Sequence, residues 1–395
     1  MGPRGSVVHS PLQRLQQRLW DSRFLPSFSA PIPGHSDWIT SLQFVPGHPQ
    51  LLCSSSLDDT IRLWDVHAEE ERMECVALFP DEPDLMKVFC APEAAGDSAR
   101  LLALPAESAP KLYDITTQQL VMTFAPAVGY SSPGALGGGE EPSEHSPLTL
   151  ATACGWCPAM GGTPWEHCFY VGVTDPAVSA LNFYDTRLQS CILSWNVAMP
   201  GDLFSAVMDP SASGGGQRVW IALNGHLDWY DLRFPSLPQA ALRRQAAPSS
   251  TAALLSEGQL SRVQSCKLAH PMDSMLPLDA GFMLCASAIG SQLTAIDPMT
   301  GRSIWEAAPH TFPRVDQDVC AVNMATGPSG RHVAVPSSEG LSVYDVLGAQ
   351  DPIHLGRLPG ESPMLQCAWS PMDEFLLATG SAAGSIWLWK LAPSP

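Results

Sequence analysis

Residues able to do chemistry are few in this sequence and they do not converge. Asp58-Asp59 is an adjacent pair of carboxylates, the residue type that general acid-base work needs when one acid keeps a proton and the other is ionised. Cys154-Gly155-Trp156-Cys157, followed by His167-Cys168, puts thiols at a metal-like spacing. Tetrahedral zinc wants four ligands, however, and the second pair is adjacent rather than spaced. These cysteines are therefore read as small apolar fillers of a strand. The histidines are dispersed singly, and there is neither a Gly-x-Ser-x-Gly elbow nor a His-Glu-x-x-His pair. None of the four lysines, Lys87, Lys111, Lys267 and Lys390, follows a glycine, so a phosphate loop ending in Gly-Lys-Ser/Thr is excluded. The expectation is no catalytic residue, no metal and no cofactor.

The elements that carry these residues are bounded by composition. The 395 residues include 39 acids against 21 bases, a formal net charge of -18, which cannot readily supply the basic patch that nucleic acid or an anionic membrane requires. Proteins with basic segments are the expected partners. With 45% hydrophobic and 15% charged residues the chain can bury a sizeable core. The 11 cysteines are odd in number and lack framework spacing, which points to reduced thiols in the cytoplasm or nucleus. No run reaches the roughly eighteen apolar residues that span a bilayer. Near the N-terminus, Arg4, Arg14 and Arg18 precede the first acid, Asp21, and Leu12, Leu15 and Leu19 recur at helical spacing after Ser10-Pro11. An organellar presequence fits that pattern; a short amphipathic helix in a tail of residues 1–22 is the expectation taken here. Met1-Gly2 with Ser6 fits a loose myristoylation pattern, which Pro3 beside the acceptor glycine opposes.

The chain's 37 prolines and 31 glycines punctuate short apolar runs, the texture of many short strands. A unit recurs: an apolar strand, a Gly/Ser-rich turn, then a strand closing on an aromatic or aliphatic residue followed by Asp or Lys. It is clearest over residues 34–66, with period-two alternation through Trp38-Ile39-Thr40-Ser41-Leu42-Gln43-Phe44 and Thr60-Ile61-Arg62-Leu63-Trp64. After Trp64-Asp65 the closing pattern returns at Leu112-Tyr113-Asp114, Phe183-Tyr184-Asp185, Trp229-Tyr230-Asp231, Ala295-Ile296-Asp297, Val343-Tyr344-Asp345 and Leu388-Trp389-Lys390. Most intervals lie near the about 40 to 45 residues of one propeller blade. The two long ones hold insertions at about residues 128–147 and 235–259, both read as surface loops.

Gly34-His35, Ser56, Asp58 and Trp64-Asp65 together resemble the WD-repeat family. That resemblance implies an all-β, seven-bladed WD-repeat β-propeller over residues 23–395, its ring closed by an N-terminal strand, residues 23–30, joining the last blade. It also implies a buried polar series, His35, Ser56, Asp58 and Trp64, tying the strands of the first blade together, with Asp59 an exposed turn residue. Later units depart from the pattern: Ala383, Glu107 and Asn224 stand where Asp is expected, leaving blade boundaries open in units two, three and five. A propeller of this kind is a platform, so the expected function is a non-catalytic protein-protein interaction scaffold in a multiprotein complex. Tyr184-Asp185-Thr186-Arg187 and Tyr230-Asp231-Leu232-Arg233 resemble the W/Y-D-x-R ending of substrate receptors of cullin-RING ubiquitin ligases. Under that alternative Arg187 and Arg233, beside Asp185 and Asp231, would meet carboxylates of the ligase adaptor.

Overall fold

A computed structural model describes residues 24–26, 32–67, 72–79, 85–92, 99–105, 109–125, 153–157, 167–175, 178–198, 204–208, 218–231, 254–255, 262–272, 274–278, 281–287, 291–298, 300–307, 314–315, 318–319, 323–346, 352–360 and 362–391. Among them every regular element is a strand. Seven meandering antiparallel sheets of four strands follow one another along the chain, and a two-stranded hairpin, Arg314–Val315 with Asp318–Val319, falls between the fifth and sixth in sequence. Sheet 1 is Ile39–Val45, His48–Ser56, Ile61–His67 and Arg72–Phe79. Sheet 2 is Leu85–Cys90, Arg100–Pro105, Lys111–Asp114 and Gln119–Thr123. Sheet 3 is Cys154–Trp156, Cys168–Asp175, Val178–Asp185 and Cys191–Ala198. Sheet 4 is Phe204–Met208, Arg218–Leu223, His226–Asp231 and Arg262–Lys267. Sheet 5 is Ser274–Pro277, Met283–Ser287, Gln292–Ile296 and Ser303–Glu306. Sheet 6 is Ala325–Thr326, His332–Ser337, Gly340–Asp345 and Ile353–Pro359. Sheet 7 is Met364–Trp369, Leu376–Ser381 and Ser385–Leu391, completed by Phe24–Pro26.

Every closing signature read from the sequence lies on, or directly follows, the third strand of its sheet, from Trp64 in sheet 1 to Trp389 in sheet 7. The boundaries left open in units two, three and five are now those of sheets 2, 3 and 5. In sheet 7 the last strand is supplied by the N-terminal segment: Phe24, Leu25 and Pro26 pair antiparallel with Leu391, Lys390 and Trp389, and Ile32–Pro33 continues along Ile386 and Ser385. Residues 1–22, with both readings of their leucine pattern, lie outside the described residues, as does the insertion at 128–147. Within the second insertion only Leu254–Leu255 is described. It is a strand rung rather than a plain loop, pairing in parallel with Ser194 and Trp195 at the outer edge of sheet 3.

Strict alternation, expected from residues 38–44, gives way in the inner strands. Val333 to Ser337, Met364 to Trp369 and Leu376 to Ser381 are buried at every position, because sheets stacked face to face cover both sides of a strand. Alternation survives at the outer edge, where Met73, Ala77 and Phe79 are buried while Glu74, Val76 and Leu78 are exposed.

Two compact units can be described separately: residues 1–80, 278–297 and 302–395, and residues 81–277 and 298–301. In the first, sheet 7 packs on both neighbours. Met364, Cys367, Trp369, Leu377 and Trp389 meet Ala334, Leu341 and Val343 of sheet 6; Ala368, Leu376, Ala378, Ile386 and Leu388 meet Ile39, Leu42, Phe44 and Trp64 of sheet 1. In the second, sheet 3 packs on sheet 2 around Phe124, Phe169 and Tyr184, with Phe169 and Tyr184 stacked at 5.0 Å. Its other face packs on sheet 4 through Tyr170, Leu181, Phe183, Trp195, Ala206 and Ile221. Each fully buried large side chain contributes about 1.5–3 kcal/mol, so the stacked faces are the main source of stability.

Candidate functional site

The best-developed polar constellation is in sheet 1. His35, just before the first strand, places Nε2 2.7 Å from Ser54 Oγ and Nδ1 3.0 Å from Asp58 Oδ2. Trp64 Nε1 donates to Ser54 Oγ at 2.8 Å. Asp58 also accepts from the Ser36 and Thr60 N–H groups and from the Thr60 hydroxyl at 2.6 Å. Burial pulls the His35 pKa below 6.5 although Asp58 opposes the shift. For Asp58, burial alone would raise the pKa, but the bonds from Thr60, Ser36 and His35 outweigh it and hold the carboxyl below 3.8. A neutral imidazole facing a carboxylate fixes the proton order: Nδ1–H donates to Asp58, Nε2 accepts from the Ser54 hydroxyl, and Ser54 accepts from Trp64.

The expected series thus brings together His35, Asp58 and Trp64, while its hydroxyl belongs to Ser54, not Ser56. Ser56 instead donates to the Asp37 carbonyl at 2.9 Å and accepts from Asp58 N–H. Register is the reason. The turn closes with Ser56 N–H donating to the Thr60 carbonyl, Trp64 pairs with Leu52, and its diagonal neighbour on the same face is Ser54. Sheet 7 repeats the spacing: Trp389 Nε1 donates to Thr379 Oγ1 at 2.9 Å.

Other candidate residues are also held by their own sheets. Asp185 takes Arg187 in a two-pronged grip, Nε at 2.8 Å and Nη2 at 2.6 Å; the aspartate side chain is 9% exposed and the arginine 59%. Asp231 lies opposite Arg218 in sheet 4, and Arg233 is outside the described residues. In sheet 6 Arg331 binds Asp345 at 2.6 Å, while His332 bridges to Glu374 of sheet 7 at 2.6 Å. Cys154 and Cys157 do not converge: the first is buried against sheet 2, the second against sheet 4.

Comparison with protein families finds the WD domain, G-beta repeat family matching residues 26–65 and 353–390. Those stretches reach into the third strands of sheets 1 and 7, in each of which a buried tryptophan donates to a hydroxyl. Residues 26–65 and 353–390 are thus WD40 repeats, set in a chain whose consecutive four-stranded sheets have the seven-bladed β-propeller arrangement. No curated protein matches it. Its seven sheets are the seven blades, and blades 2 to 6 carry Tyr or Ile in place of the tryptophan, which is why the family pattern fades between the matched ends.

Ser54, His35 and Asp58 have the connectivity of a nucleophile, base and orienting acid, a likeness the dispersed sequence positions hide. Burial decides against that use. The side chains of His35 and Asp58 are 0% and 6% exposed, Ser54 is 0% exposed, and Trp64 donates into the very oxygen that would have to attack. A group that no substrate can touch and whose hydrogen bonds are all made serves to hold a turn. WD-repeat propellers are in general non-catalytic domains that bind other proteins, and in this one the polar chemistry of blade 1 is spent on architecture.

Proposed function

We propose that this WD-repeat chain is a non-catalytic scaffold subunit of a multiprotein complex, acting in the cytoplasm or nucleus on protein partners with basic segments. The observation that carries the reading is the sealing of the Ser54–His35–Asp58 series inside blade 1. Side chains exposed on outer strands supply contact surface instead: Val76 and Leu78 in blade 1, Leu120 and Val121 in blade 2, and Val263 in blade 4. The acidic balance of the chain favours basic segments among its partners. Affinity purification of the tagged full-length protein with mass spectrometry tests this. A stable co-purifying assembly is expected; a monomer that recovers no partner at physiological salt refutes it.

A second reading, a substrate receptor of a cullin-RING ligase, rests on Arg187, whose guanidinium is pre-oriented by Asp185 yet 59% exposed. An Arg187→Ala, Arg233→Ala variant separates the two. Loss of a ligase adaptor from a still-folded variant supports the receptor; recovery of the same unrelated complex by both proteins leaves the arginines architectural. The exposed Arg187–Asp185 pair is worth about 1 kcal/mol or less, so the variant should fold.

A further inference from the structure

Cys157 and Cys168 face each other across the first two strands of blade 3. Cys154, Gly155 and Trp156 pair with Val171, Tyr170 and Phe169, and the next rung is Cys157 with Cys168, its Cys157 N–H donating to the Cys168 carbonyl at 2.9 Å. Opposed residues at such a hydrogen-bonded rung have Cα atoms about 5.5 Å apart, inside the window of about 4.4–6.8 Å that a disulfide spans, and Cβ atoms near about 5.5 Å, so closing to the about 3.5–4.5 Å between the Cβ atoms of a disulfide needs the two strands to shift. Both thiols sit in one apolar cluster and are 1% and 0% exposed. Cys154, the partner the Cys-x-x-Cys spacing suggests, is buried on the opposite face of the sheet.

We propose that Cys157 and Cys168 are a redox modification site, a dithiol that closes to a cross-strand disulfide between the first two strands of blade 3. The oxidant is a small-molecule disulfide such as glutathione disulfide. One cysteine thiolate attacks it, forming a mixed disulfide and expelling one glutathione thiolate; the second cysteine thiolate then displaces the other. Two protein thiols become one S–S bond, and one glutathione disulfide becomes two glutathione thiols. Burial pushes the Cys157 thiol up and the Cys168 thiol to about 12, so the reaction waits on opening of the three-residue strand Cys154–Trp156. Slow, reversible closure distinguishes a regulatory cysteine pair from a permanent staple.

The test uses reduced full-length protein incubated across a glutathione redox series, acid-quenched, alkylated, digested without reductant and analysed by mass spectrometry. A Cys157–Cys168 linked peptide is expected ahead of any other linkage, reversible by dithiothreitol, present in Cys154→Ser and lost in Cys157→Ser. Backbone hydrogen exchange over residues 154–157 should slow by about tenfold or more in the oxidised form. A Cys154–Cys157 linkage overturns the proposal. So does full alkylation of both thiols on unfolding after exposure to the most oxidising buffer, or oxidation confined to the exposed Cys75. Because wild type alone gives the decisive linkage, misfolding of a variant does not blur the outcome.

Discussion

Replacing Ser54 by alanine removes one oxygen and strands two buried partners. Trp64 Nε1–H loses its acceptor at 2.8 Å, and His35 Nε2 loses its donor at 2.7 Å, with Trp64 only 3% exposed and the His35 side chain fully covered. An orphaned buried polar group costs about 1–3 kcal/mol, so the substitution should cost about 2–6 kcal/mol. Ser56→Ala removes two bonds as well, but to backbone groups of a half-buried turn, Asp37 carbonyl and Asp58 N–H, which solvent reaches in part, so the loss is about 0.5–1.5 kcal/mol. Ser54→Thr keeps the hydroxyl in the arrangement that Thr379 adopts with Trp389 and should lie near wild type. Equilibrium urea unfolding of the three variants, compared at constant m value, reads the differences. A Ser54→Ala cost within 0.5 kcal/mol of zero, or below that of Ser56→Ala, would refute the account of the buried series.

Acidification should weaken the fold in two stages. The unfolded chain takes a proton on histidine at about 6.5, whereas burial holds folded His35 neutral below that value, so stability falls as pH drops through 6.5. Asp58, held below 3.8 in the fold, adds a second loss at lower pH; urea midpoints at pH 7.5 and 5.5 should differ in wild type and less so in His35→Gln. Gly384→Ala should cost about 2–5 kcal/mol, since Gly384 has φ 75° and a Cβ there would lie 2.3 Å from the His35 carbonyl oxygen; thermal unfolding measures it. Deleting residues 1–30 strips Phe24–Pro26 from the edge of Ser385–Leu391 and should produce concentration-dependent self-association in light scattering.

The repeat was legible because each blade restates one pattern, and the closing residue of each third strand can be read off without knowing its neighbours. Register was harder. Choosing between Ser54 and Ser56 requires counting back from the turn that pairs Ser56 with Thr60, and a list of family intervals does not do that counting. The second blade's boundary was obscured for a related reason: its inner strands, such as Leu101 to Pro105, are buried throughout and so show no alternation to mark their limits. The Cys157–Cys168 rung lay out of reach because the nearer spacing, Cys154 to Cys157, draws attention to two side chains that a strand sends to opposite faces. The Asn224-Gly225 turn, by contrast, was readable as a break in the Asp pattern and has a local cause. Both residues adopt positive φ, 47° and 74°, the tight hairpin geometry that Asn-Gly favours.

Decay of the polar series between blades 1 and 7 follows from where the stability lies. A His–Ser–Asp–Trp chain fixes one turn against one blade, and its loss elsewhere removes a few local bonds. The stacked faces are different, since each apolar side chain there joins its own blade to a neighbour: Trp389 packs with Leu341 and Val343 of blade 6 while Leu388, the preceding residue on the same strand, packs with blade 1. The fold therefore accommodates Ala383 or Asn224 in a turn more cheaply than a cavity between sheets, where a large-to-small change costs about 2–5 kcal/mol. The same logic separates architecture from function on this scaffold. Buried polar groups with every bond made report on folding, and a side chain that a partner reads must be held by the fold and still reach solvent, as Arg187 does over Asp185.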